Sequence, residues 1–418
     1  MINYTGWQWL LIDAANQYGL DKELFETRIE WATKHLDMLE TLADKADTKP
    51  LYLKAVMAIR KAQKGLPTGH MVGVDACCSG IQVMSVMTGC IDGATATGLV
   101  DPDVRADAYT AATKAMETIL GSSVAVSRKN AKDALMTTMY GSKDVPKAIF
   151  GEDTPELDAF YQAAQQTAPG AWELLQDLLA SWQSYALVHE WKLPDGFDAR
   201  IKVMTKKEVR IEVDELDHAT FSYEFYENQG SKKGLSNVAN LTHSMDAYIL
   251  RSMHRRCNYD RDVIDEAGAL IEIELIQRSM RDSLPLRIPK PEHCSGGKLA
   301  YYRDQYERST VADVVILPYL NSESIQGLAT AHIKALAVIV EGMQQYEPFE
   351  LVTVHDEFKA HANNINHVRY QYKEILAEIA ESNVLDDLLS QIHGVPGKFN
   401  KLSNNLGELI RGSAYGLC

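Results

Sequence analysis

MVGVDACCSGIQ, residues 71–82, opens on a short β-branched run, reaches an acid at Asp75 and breaks into small residues. That order predicts a strand feeding a turn, with Asp75 at the strand's end. A second stretch, ELVTVHDEF at 350–358, repeats the design: a strand, a tight His355-Asp356 turn and a returning strand. Two aspartates far apart in sequence, each at the end of a β run, suit a site that holds two divalent cations for phosphoryl transfer. Carboxylate oxygens are hard ligands for Mg²⁺, and strands fix where they point. A single aspartate in such a place is usually a turn residue. The pair therefore depends on what lies between.

Between them runs SRKNAKDALMTTMYGS, residues 127–142, where Arg128, Lys132, Met136 and Tyr140 recur every fourth residue. Ser127 supplies an N-cap. Each step of four drifts by roughly 40° on a helix, so the four side chains share one stripe, and Arg128 to Tyr140 spans about 18 Å. A nucleoside triphosphate has a comparable length and the same polarity. Arg128 and Lys132 can hold phosphates through charge-assisted hydrogen bonds, leaving Tyr140 near sugar and base. The competing reading is an exposed amphipathic helix with a basic end.

Working outward, Phe25, Ile29, Ala32, Leu36 and Leu39 mark one face of a helix within 20–45. Helical patterning returns at 102–120, over 154–190 and at 240–256. Alternation through RIKVMTKKEVRIEV and at Phe221, Tyr223 and Phe225 predicts β-hairpin structure. Lys202, Lys206, Lys207 and Arg210 make it the clearest basic β segment. Residues 257–320, with Pro285, Pro289, Pro291 and Gly296-Gly297, lack one clean period and read as an insertion or small subdomain. Ile325, Leu328, His332, Leu336, Ile339 and Met343 then form a helical stripe.

The chain has 418 residues, 46% of them hydrophobic, and nothing in it resembles a disordered segment. Its six cysteines form no CxxC pair and no secreted framework, which points to reduced thiols rather than disulfides or structural zinc. No apolar run approaches the roughly 20 residues needed to span a bilayer. MINYTGWQW lacks the pattern of a signal peptide. A non-secreted, cytoplasmic protein without a membrane partner is expected. The formal charge of −15 argues against a protein that coats nucleic acid, since phosphate binding needs clustered Lys and Arg. It leaves room for an enzyme with a locally basic channel, or one that borrows basic surface from a partner.

DACCSGIQ, RKNAKDALMTTMYGSK and TVHDEF resemble the three polymerase motifs of the single-subunit bacteriophage and mitochondrial RNA polymerases, in order. NLTHSMD, with His243 and Asp246, is similar to that family's His-containing segment, and GWQWLLIDAAN and LGELIRGSAYGLC resemble family sequence at either end. The resemblance implies an α+β, predominantly helical fold: a right-hand polymerase palm with a small antiparallel sheet, plus helical fingers. Palm would occupy 1–100, fingers 101–240 with the nucleotide-binding helix 127–141 and the basic hairpin region 198–226, and palm again 241–418 with an insertion at about 257–320. It further implies two Mg²⁺ ions held by Asp75 and Asp356 with the Ala76 carbonyl. Lys132 would bind the triphosphate and protonate the leaving group, and Arg128 and Tyr109 would contact phosphate. Tyr140 would sense the ribose and His243 would contact the sugar side. His355 would touch the primer end. Gly80 stands where related DNA polymerases place a glutamate that excludes the 2′-hydroxyl, so ribonucleoside triphosphates are the expected substrates, with a DNA template and an RNA product.

Several positions depart from the family pattern. Ala76 replaces a glycine, Val83 a His, Asp133 a basic residue, Leu11 a Lys and Glu357 a small residue. The sequence begins where the family's palm begins, which leads to the expectation of a larger catalytic half of a split phage polymerase, completed by a second subunit in a host cytoplasm. A DNA polymerase, and a polymerase-like protein that only binds nucleic acid, are the alternatives.

Overall fold

The computed structural model describes residues 3–121, 124–231, 234–283 and 297–418. Helices dominate an α+β arrangement. α1 (Gly6–Ala15) starts at a capping box, Thr5 accepting from the Gln8 amide while the Gln8 side chain reaches back to the Thr5 amide. α2 (Phe25–Lys34) and α3 (Lys49–Gln63) pack against it. The helix expected within 20–45 breaks at His35, and Leu36–Lys45 continues as 3₁₀ turns. β1 (Met71–Asp75) follows, and then α4 (Ser79–Thr88), whose every residue is buried. A helix buried all round is the centre of a core rather than its wall.

α5 (Ile91–Ala96), α6 (Ala108–Leu120), α7 (Arg128–Met139), α8 (Asp144–Phe150), α9 (Pro155–Thr167) and α10 (Pro169–Ala180) complete the first half. Asp107 caps α6, so that helix begins later than the 102–120 pattern suggested. The helical reading of 154–190 also overran. Val188–Lys192 is a strand, β2, paired antiparallel with β3 (Asp198–Lys202). Its alternation is visible in hindsight: His189 and Trp191 are buried while Val188 and Glu190 face solvent.

β4 (Thr205–Val213) and β5 (Ala219–Glu227) form a separate two-stranded hairpin. Both strands carry mostly exposed side chains. The expectation of a basic segment needs correction. Lys206 pairs with Glu224 at 2.6 Å and Lys207 with Glu227 at 2.5 Å, so acids on the facing strand neutralise the lysines.

α11 (Ser236–Cys257) crosses the main core. α12 (Arg261–Ser283) and α13 (Gly297–Ser309) then occupy the segment read as lacking a period; Pro285, Pro289, Pro291 and Gly296 lie outside the described residues. Together with α14 (Thr330–Gln344) they enclose a second core built on Ile264, Ile271, Val314, Ile325, Leu336 and Met343. No described helix is long and apolar enough to cross a membrane.

β6 (Val352–Val354) and β7 (Glu357–His361) flank the two-residue turn His355-Asp356, and β1 pairs antiparallel with β7 to give the sheet order β1-β7-β6. Val72, Val74, Phe358 and Ala360 are buried beneath the sheet; the alternate residues, Gly73, Asp75, Glu357 and Lys359, share its other face. α15 (Ile365–Glu381), α16 (Val384–His393) and α17 (Leu406–Gly412) close the main core, and α15 packs against both α4 and α11. The five described cysteines are free thiols, and Cys294 lies outside the described residues.

Candidate active site

Antiparallel register joins the two predicted aspartates. Asp75 stands opposite Glu357, the Ala76 amide donates to the Asp356 carbonyl at 3.2 Å, and Asp356 sits in the turn between β6 and β7. His355, the first turn residue, has φ 55. A tight hairpin asks for positive φ there, which a glycine supplies freely and a histidine adopts at a cost of about 1–3 kcal/mol. Burial, then the neighbouring carboxylates Asp356 and Glu357, push the Asp75 pKa up to about 6 although the side chain keeps contact with solvent. Crowded carboxylates raise each other's pKa because each disfavours the other's charge.

Glu357, the unexpected acid, resolves simply. Its carboxylate pairs with Lys359 at 2.9 Å and lies over Gly73, where a Cβ would stand 2.3 Å from Glu357 Oε1. It therefore packs along the sheet face with a counter-ion of its own.

Asp356 lines a cavity of about 520 Å³ together with Gly80, Tyr109, Tyr140, His243 and Asp246. Residues singled out in the sequence, His355 and Met136 among them, thus meet the second aspartate around one space. Tyr140 ends α7 and packs against His243 with ring centroids 4.6 Å apart and ring planes tilted by 38°. Its hydroxyl lies over Gly80, where a Cβ would come within 2.9 Å of Tyr140 Oη. Burial, then the nearby Asp246 carboxylate, raise the Tyr140 pKa, so the phenol stays protonated. Partial burial, then His355, push His243 down, favouring neutral imidazole.

The cationic end of the α7 stripe stands outside the cavity lining. Lys132 Nζ lies 5.5 Å from the centroid of the Tyr109 ring and has no ion-pair partner among the described residues. Such a lysine is available to an anion. Arg128 is committed, with Nη2 and Nε on Asp107 Oδ2 at 2.5 and 2.9 Å. Burial raises Asp107, but hydrogen bonds from Thr110 and Arg128 outweigh it and hold the carboxylate below its ordinary range. Spacing put Arg128 on one stripe of the helix with Lys132 and Tyr140; its partner Asp107, the cap of another helix, was invisible to it.

Three contributors had no assigned role in the sequence reading. Ser79 Oγ donates to Asp246 Oδ2 at 3.0 Å, and Tyr372, which also lines the cavity, donates to Gln82 at 2.7 Å. Asp75 exchanges backbone hydrogen bonds with Cys418. The segments NLTHSMD and LGELIRGSAYGLC were the available signals for the first and third. A separate exposed group, Glu212, Asp214 and His218, lies at the turn between β4 and β5, far in sequence from both aspartates.

The donor set at Asp75 and Asp356 suits a hard divalent cation. Two oxygen-donor side chains adjoin, the pKa of one is raised by burial and then by neighbouring carboxylates, and no hydrogen bond to the Ala76 carbonyl is found among the described residues. Comparison with known proteins gives the same direction. Residues 1–149 match the family model of DNA-dependent RNA polymerase, a span that includes Asp75, Gly80, Tyr109, Arg128, Lys132 and Tyr140 and stops before His243 and Asp356. No curated protein matches the chain. Over residues 1–149 the chain is therefore similar to the DNA-dependent RNA polymerases, a family of nucleotidyltransferases.

Proposed function

We propose that the chain carries out template-directed transfer of ribonucleotides to an RNA 3′ end, with Asp75 and Asp356 as the ligands of two Mg²⁺ ions and the Ala76 carbonyl as a further donor. The observation that carries this reading is the β1-β7-β6 register, which sets Asp75 opposite Glu357, next to the turn whose Asp356 lines a cavity bounded by Tyr140 and His243. The ions, when bound, would lower the barrier by neutralising charge on the reacting oxygens.

The chain's own residues supply position and polarity. Lys132, unpaired above Tyr109, is the group for the triphosphate and for protonating the departing pyrophosphate. Arg128 reaches phosphate only by sharing or leaving Asp107. Tyr109 forms the floor beneath both cations. Tyr140, Gly80 and His243 form the sugar subsite, where the absence of a side chain at residue 80 leaves room for a 2′-hydroxyl. His355 lies beside Asp356 on the primer side.

Residues 1–100 and 241–418 would form the palm, with about 257–320 inserted, and 101–240 the fingers. A second subunit supplying promoter binding and basic surface would complete the enzyme in a host cytoplasm; the net charge of −15 favours that arrangement. Primer extension in Mg²⁺ tests the core claim. Asp356→Asn and Asp75→Asn should each abolish extension while the protein still folds, and an Asp356→Asn protein that still extends at the wild-type rate would end the assignment.

A further inference from the structure

The face of the β1-β7-β6 sheet that carries Asp75 also carries Gly73, Glu357 and Lys359, and β6 adds Val352 and Val354, both exposed. Among the described residues of that face, Lys359 is the permanent cation. Its Nζ lies 2.9 Å from Glu357 Oε1. A Cβ on Gly73, the register partner of Lys359, would come within 2.3 Å of that oxygen, so the missing side chain at residue 73 lets Glu357 lie across β1 and keep the ammonium there. An ammonium has three protons, and Glu357 takes one. The others are available to a second acceptor. Glu357 is the register partner of Asp75, and residues two apart on a strand are about 7 Å apart, so Lys359 stands one such step behind the first aspartate. Successive phosphates of one nucleic-acid strand have a similar separation. A strand whose 3′ end is held at Asp75 and Asp356 meets the repulsion of those carboxylates and of Glu357 along its backbone, and Lys359 is placed to offset it.

We propose that Lys359 binds the last phosphodiester of the growing RNA strand, the linkage directly behind the 3′-terminal nucleotide. The open sheet face is then the path of the product strand, with Val352 and Val354 bordering it. The inference rests on the polymerase reading above and adds to it the contact that holds the strand behind its reacting end. Lys359 takes no part in the bond-forming step.

The test compares the full chain as wild type, Lys359→Ala and Lys359→Arg on an RNA primer annealed to a DNA template, without nucleoside triphosphate. Dissociation constants are read by fluorescence anisotropy across a salt series, with melting curves as a check on folding. Lys359→Ala should weaken binding about tenfold at low salt and lower the slope of log affinity against log salt by about 1, and Lys359→Arg should restore both. Position is read by replacing one phosphate of the primer with an uncharged methylphosphonate, the nucleotide on its 5′ side being 2′-deoxy in every primer for chemical stability. In the last linkage this should cost wild type about tenfold and Lys359→Ala nothing further, because both changes remove one contact. Farther upstream the cost should be equal in the two proteins. An unchanged salt slope in Lys359→Ala, or a terminal methylphosphonate that costs both proteins the same, would overturn the contact. Failure of the underlying reading looks different, because wild type itself would then neither hold nor extend the duplex.

Discussion

Asp75 and Cys418 exchange both of their backbone hydrogen bonds, Asp75 N to Cys418 O at 3.2 Å and Cys418 N to Asp75 O at 3.0 Å. That is the narrow pair of an antiparallel ladder, continued by the bridge between Ala76 and Leu417. The edge of β1 that carries the first aspartate is therefore held from one side by β7 and from the other by residues 417–418. Removing Leu417 and Cys418 should free the end of β1 without opening the core beneath Val72 and Val74. Extension should fall at least tenfold while the melting temperature drops by only a few degrees. Steady-state extension and calorimetry on the truncated protein check this, and a fully active truncated enzyme would show that β7 alone positions Asp75.

The closeness of Tyr140 Oη to Gly80 makes residue 80 a steric gauge. A Cβ there would meet the phenol at 2.9 Å, so Gly80→Ala must displace the tyrosine by a few tenths of an ångström, and Gly80→Glu must fill the proposed sugar subsite. Ribonucleotide kcat/KM should fall about tenfold for alanine and more than a hundredfold for glutamate, with a smaller loss for deoxyribonucleotides. Equal losses with both sugars would mean that the substitution disturbs α4 rather than the sugar.

Features set by local pattern were legible in the sequence. Ser127 caps α7 as its side chain suggests, and the stripe ending in Met136 and Tyr140 does face the cavity. The strand, turn and strand around Asp356 also formed as read. Features set by distant partners were not legible. Arg128 looked free because its spacing says nothing of Asp107 on the preceding helix cap. The period of α12 was hidden because its buried stripe, Ile264, Ala267 and Ile271, continues in Glu274. That carboxylate is buried but satisfied by Arg278 at 2.7 Å and Arg281 at 3.1 Å, so a charged residue holds an apolar position. In β2, strand character came from pairing with β3, whereas the preceding residues were strongly helical.

The raised Asp75 carboxyl links protons to metal. Its folded pKa of about 6 exceeds the ordinary value, so the fold favours the protonated form; this contribution to stability is present at low pH and is lost as pH rises through 6. A divalent cation would replace the lost proton as the compensating charge. Mg²⁺ should therefore raise the melting temperature more at pH 8 than at pH 5, and Asp75→Asn should remove most of the difference. A Mg²⁺ effect that is the same at both pH values would place the binding elsewhere on the chain, the exposed Glu212, Asp214 and His218 group being the control to substitute first.

His332 and His367 give the opposite pH dependence. Both are buried, His332 stacked on Tyr306 with centroids 3.8 Å apart and His367 against Tyr346 at 4.1 Å, and burial pushes each pKa down to about 4. A histidine whose folded pKa lies below its unfolded value of roughly 6.5 stabilises the fold above that pH. The stability is lost as pH falls from about 6.5 through 4, because the unfolded chain binds the proton first. Each site is worth up to about 3 kcal/mol across that window. His332 belongs to the second core and His367 packs near α11 in the main one, so the two losses fall on different parts of the molecule. Replacing His332 by Phe should flatten the acid limb of the melting curve and leave Mg²⁺-dependent extension at pH 8 unaltered, since the second core does not contribute to the cavity around Asp356. Melting curves from pH 4 to 8 read the effect, and an acid limb as steep in His332→Phe as in wild type would assign the loss to other groups.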